Sequence, residues 1–162
     1  MRSMHTEAIS AAGRSNVALA GRHDARREGV ALGLAVATII WIWLALVDML
    51  AGEPFHTFAT LGGITVFTVA HYLLNVAYAL VIVGAIHGAA RVPSLIIALA
   101  FGFVMVQFVF AMLTAVLSNL GLGELAWIRI FGGSLLGGAV TFVILSRRHP
   151  LRAQLRRAEE EL

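Results

Sequence analysis

The chain has no cysteine, no lysine and only three prolines in 162 residues. It is also short of charge: soluble domains carry roughly 25% charged residues, whereas 13% of this chain is charged and 59% is hydrophobic. Without cysteine there is no disulfide, no thiolate metal centre and no cysteine nucleophile. So much apolar surface cannot all be hidden inside a small soluble fold. A bilayer removes the difficulty by acting as the solvent. Catalytic signatures are missing too: there is no GxSxG, HExxH or Walker A segment, and no GxGxxG opening a helix. Gly121-Leu122-Gly123-Glu124 is too short and wrongly placed for a phosphate loop. None of the apolar runs carries a carboxylate at mid-depth, as a proton-coupled exporter would need. These absences argue against a self-sufficient enzyme and, more weakly, against a transporter.

What is present is four long apolar runs, at 30–51, 64–89, 92–118 and 125–146. A helix of about 20 apolar residues, rising about 1.5 Å per residue, crosses a hydrocarbon core of about 30 Å. Lipid offers no partner for an unpaired backbone group, and the runs lack the alternation of barrel strands, so helix is the reading. The fold expected is an all-α, integral membrane four-helix transmembrane bundle. It divides into an N-terminal tail (1–29), a four-span domain (30–146) and a C-terminal tail (147–162).

Arginine sets the orientation. Arg2, Arg14, Arg22, Arg26 and Arg27 precede the first run, Arg91 lies between the second and third, and Arg147, Arg148, Arg152, Arg156 and Arg157 follow the fourth. Only Arg129 falls near the opposite side. The positive-inside rule places both termini in the cytoplasm, in a multi-pass protein of the inner (plasma) membrane. The net charge of +3 faces anionic headgroups, and nucleic acid is not an expected partner. The first apolar run is too long for a cleavable signal. Leu151, Leu155, Ala158 and Leu162 form one stripe, so the C-terminal tail is expected to be an amphipathic surface helix. Phe55, Phe58 and Leu61 recur every three residues, which predicts a short interfacial helix in the outer linker.

Helices in lipid associate through close packing and polar contacts. Two small-residue pairs suit close approach, Gly84 with Gly88 in the second run and Gly133 with Gly137 in the fourth. Thr68, His71, Asn75 and Tyr78 are spaced three, four and three and share one helical face. Gln107 of the third run matches Asn75 in depth, so an Asn75–Gln107 amide clamp is expected. Near the outer side, Asp48 is the nearest intramembrane acid to Arg129, and an Asp48–Arg129 pair is expected, with Glu124 sharing.

Trp41 and Trp43 lie near the middle of the first run, away from the interface that tryptophan favours. With His71 and Tyr78 they are the candidate cofactor-binding residues, for a quinone or a haem. Haem within this chain meets an obstacle: His71 and His87 are on one helix, sixteen residues and so roughly 24 Å apart. No catalytic or metal set is expected. The function expected is an accessory or scaffolding subunit of a larger membrane complex, such as a respiratory or photosynthetic one, in contact with lipid and with other subunits or a second copy. The alternatives are an electron-transfer protein that uses His71 and the outer polar cluster, and a small oligomeric transporter.

Overall fold

The computed structural model describes residues 2–89, 92 and 94–148, with side chains from residue 24 onward except those of residues 94 and 96. The C-terminal stripe at 151–162 lies outside the described residues. Every regular element among them is helical: α1 (Arg2–Leu50), α2 (His56–Thr60), α3 (Ile64–Ala89), α4 (Ser94–Leu117) and α5 (Gly133–Arg148). Two wide π-helical segments, Ser118–Leu122 and Trp127–Gly132, join α4 to α5. Four stretches are long and apolar enough to cross a membrane: Asp24–Leu50, Ile64–Ala89, Ile97–Leu122 and Trp127–Arg148.

The helix α1 begins far upstream of its apolar run, at Arg2, and has 49 residues. The preceding polar stretch is alanine-rich and free of proline, and such residues continue a helix readily. At the other end, Gly52 takes φ 76° and the chain folds back, with the Glu53 amide donating to the Asp48 carbonyl at 2.9 Å. Phe55 then adopts a left-handed φ of 61°, uncommon for a residue with a Cβ. The helix α2 follows as expected from the spacing of its apolar residues. It does not lie flat on a surface, however: Thr57 and Phe58 are fully buried.

The helix α1 is the centre of the bundle and packs most extensively on α3 and then on α5. Two apolar clusters hold it. One, towards the Arg148 end, joins Leu32, Val36, Ala79, Val83, Ile86 and Leu145. The other, at the Arg129 end, joins Leu44, Phe58, Leu122, Ala126 and Ile130.

Small residues allow this packing, though not all at the expected positions. A Cβ on Gly33 would stand 2.5 Å from the Val76 Cα and 2.9 Å from the Asn75 carbonyl oxygen, so the α1 and α3 backbones touch there. Gly29 approaches Leu80 in the same way. Gly137 lets Ile40 seat against α5, and Gly133 meets Trp43. Gly84 does not belong to this set. No atom lies within 4 Å of where its Cβ would be, so it faces open space, while Gly88 meets only the Leu95 side chain. The small pair that brings α3 to its neighbour is therefore on the neighbour.

The helix α4 is the least covered of the four, with α3 next at 11%. Only 6% of the residues in its most apolar window are buried within the chain, against 33% for α1.

Candidate functional site: a buried charge cluster and the cavity beneath it

The turn that closes α1 and the wide segment that opens the fourth long apolar stretch bring opposite charges together. Asp48, two residues before the end of α1, is fully buried, and Arg129 is 1% exposed. Arg129 Nε lies 2.8 Å from Asp48 Oδ1. The contact is ionic and not a linear hydrogen bond, since Nε has no aligned acceptor. The remaining nitrogens complete the set: Nη2 donates to Glu53 Oε2 at 2.9 Å, and Nη1 donates to the Leu122 carbonyl at 3.2 Å.

Asp48 is itself held from its other side. Oδ2 accepts from the Thr57 amide at 2.8 Å and Oδ1 from the Thr57 hydroxyl at 2.7 Å. The burial of Thr57 in α2 thus has a cause. It satisfies a carboxylate that would otherwise lean on one guanidinium alone, and breaking such a buried set costs several kcal/mol, about 3–5. Four segments meet here: α1, α2, the Ser118–Leu122 turn and the Trp127–Gly132 segment. Wide π-type turns alter which side chain faces inward, and Arg129 faces inward from one.

Glu124 is not the third member. It is exposed, whereas Glu53 reaches the guanidinium because the turn after α1 carries it back over Asp48. Glu53 is half exposed, and its hydrogen bond with Arg129 holds its carboxyl below the ordinary value of 4.5, with nearby His56 acting in the same direction. His56 Nε2 pairs with the Gly121 carbonyl at 3.1 Å, pinning α2 to the turn before the fourth long apolar stretch.

The mid-length polar groups are arranged differently from the expected amide clamp. Gln107 Oε1 accepts from Ser134 Oγ at 3.0 Å, joining α4 to α5. Asn75 Nδ2 instead donates to the His71 carbonyl one turn back, at 2.9 Å. Equal depth did not make Asn75 and Gln107 partners, because each amide is taken by another group: the His71 carbonyl on the same helix for Asn75 and the Ser134 hydroxyl of α5 for Gln107. Sequence reasoning missed Ser134 as the partner, although a hydroxyl at similar depth in the fourth run was the available signal.

Trp41 and Trp43 are inter-helix donors. Trp41 Nε1 donates to Thr68 Oγ1 at 3.0 Å, and Trp43 Nε1 to the Ile128 carbonyl at 3.0 Å. A chain of rings runs from Trp41 through Phe58 and Phe67 to His71, with centroids 5.0, 5.1 and 5.2 Å apart. His71 Nε2 contacts the Ala37 carbonyl at 3.1 Å. A carbonyl only accepts, so that nitrogen carries the proton. Next to it, Tyr72 donates to Thr38 Oγ1 at 2.9 Å, since the Thr38 hydrogen is already given to the Leu34 carbonyl. Tyr78, further along α3, makes no hydrogen bond among the described residues and is 38% exposed.

Beneath the charge cluster is a cavity of about 450 Å³, bordered by all four long helices and walled in part by His71, Asn75, Arg129 and Ser134. A second, of about 700 Å³, lies between α3, α4 and α5 towards the Arg148 end. No group of three or more potential metal ligands forms among the described residues. Comparison with family models, with curated proteins and with solved structures found no match to this chain.

Proposed function

We propose that this chain is an accessory or scaffolding subunit of a larger membrane complex, held in the inner (plasma) membrane with both termini on the cytoplasmic side. The observation that carries this reading is how little of α4 its own chain covers. Phe101, Val104, Phe108 and Met112 form one stripe on it, at spacings of three and four, each more than half exposed. Helices in lipid associate by van der Waals fit, and aromatic residues and Met are enriched where proteins meet. The charge cluster supports the same reading. Asp48 and Arg129 are engaged with each other and with Thr57, Glu53 and Leu122, which is the work of holding helices in place. The arginine distribution supports the orientation.

Because the chain has no cysteine, single-cysteine cross-linking tests this cleanly. With Phe108→Cys carrying a photoactivatable thiol reagent in native membranes, one defined adduct is expected, containing a chain that also co-purifies in mild detergent. A control at Leu73→Cys, equally exposed but on α3, is expected to label lipid alone. A lone monomer in mild detergent, or the same diffuse labelling from both positions, overturns the reading.

A further inference from the structure

The cavity under the charge cluster has the size of a ligand site, for which roughly 300–1,000 Å³ is usual. It reaches the lateral surface between α3 and α4, where its wall residues Val66, Leu74 and Leu113 are exposed. Its wall is apolar apart from a few groups, and two of their acceptor atoms are poorly satisfied. Asn75 Nδ2 is committed to the His71 carbonyl, which fixes the amide and leaves Oδ1 with no donor among the described residues. His71 Nε2 carries the ring proton towards the Ala37 carbonyl, so Nδ1 presents a lone pair. Its one neighbouring donor is Asn75 Nδ2 at 3.4 Å, beyond the usual range of 2.7–3.2 Å for a nitrogen donor. Asn75 Oδ1 is not sealed inside protein, since the one enclosed side-chain atom without a hydrogen bond among the described residues is Arg129 Nε, and His71 Nδ1 keeps only its long contact. At this depth no water is at hand to satisfy them.

We propose that this cavity binds an isoprenoid quinol: a flat, uncharged ring bearing hydroxyl groups, on a long apolar chain. Three observations select that class. The poorly satisfied acceptors, Asn75 Oδ1 and His71 Nδ1, lie one helical turn apart and call for a head that donates, while the Arg129 Nε donor is held 2.8 Å from Asp48. Arg129 in the wall is outnumbered by Asp48 and Glu53, leaving one net negative charge, which repels a phospholipid phosphate. Phe67 and His71 both line the cavity and stack on each other, 15° from parallel, which gives a flat head an aromatic wall. The apolar cavity beyond Tyr78, along the same side of α3, receives the chain. This site is complete within one copy and does not require the partner proposed for α4.

The test uses the full chain purified in mild detergent. Lipid extraction and mass spectrometry are expected to find about one quinol or quinone per protein. Retention should fall at least tenfold in Asn75→Leu, which removes an acceptor, and in Ala70→Phe, which fills the cavity from an exposed wall position. Titration of lipid-depleted protein with decyl benzoquinol should give saturable quenching of tryptophan fluorescence, several-fold tighter than with the matching quinone. Melting temperatures near that of the parent establish that the variants fold. If Asn75→Leu does not, Ala70→Phe decides. Equal retention in parent and Ala70→Phe, retention of phospholipid alone, or quenching that rises linearly without saturation overturns the proposal. None of these outcomes bears on cross-linking from Phe108.

Discussion

Gly33 and Val76 are in backbone contact: a Cβ on the glycine would stand 2.5 Å from the valine Cα. The neighbours are backbone atoms, not the ends of flexible side chains, so they cannot give way locally. Gly33→Ala must push α1 and α3 apart, and overpacking of this kind costs about 1–3 kcal/mol. Gly84→Ala has open space around it and should be neutral or stabilising by up to about 1 kcal/mol through helix propensity. Thermal unfolding of the two variants in one detergent checks the contrast.

Arg129→Leu is expected to destabilise strongly, by about 3–5 kcal/mol, because it leaves Asp48 buried with no cation. Asp48→Leu should cost a similar amount. The double variant should be less damaged than the sum of the two, since neither charge is then stranded. A double-mutant cycle measures the coupling, and additive effects would show that the ion pair carries no energy of its own.

Glu53 gives the cluster a pH dependence with a definite sign. Its carboxyl titrates below the ordinary value of 4.5 in the folded chain, chiefly through the Arg129 hydrogen bond. Its stabilisation is therefore fully present above about pH 4.5 and is lost as pH falls through the lower, folded value. Glu53→Gln should remove that part of the acid sensitivity and leave the neutral-pH fold intact. Melting temperatures of both chains between pH 7 and pH 3 provide the check.

The Gln107–Ser134 bond should behave as a modest membrane-type contact. Interhelical hydrogen bonds of this kind average about 0.6 kcal/mol. Gln107→Leu and Ser134→Ala should each cost about that, with no further loss when combined. Asn75 and Gln107, which do not meet, should show no coupling in the same type of cycle.

Much of this structure could be read from the chain because its signals are local. The four apolar stretches, the absence of competing strand patterns and the short helix at Phe58 follow from composition and spacing alone. The proximity of Asp48 and Arg129 could be anticipated from depth, because few acids are available to a cation so far along an apolar run. Depth also misled. It made Asn75 the partner of Gln107 and Glu124 the partner of Arg129, when Ser134 and Glu53 hold those places. The Gly29–Gly33 pair is not legible from the apolar run, because that run begins at Val30 and splits the pair across a boundary the helix ignores.

Sequence by itself determined how many long apolar helices there are and roughly which residues their apolar stretches cover, because each of those depends on a run of neighbours and the cost of exposing them. Only the tertiary structure decided which polar atoms meet and where space is left between helices. Rotation and tilt about a helix axis cost little locally. They are set by contacts with other helices, such as the backbone touch at Gly33 and the turn that lays Glu53 over Asp48.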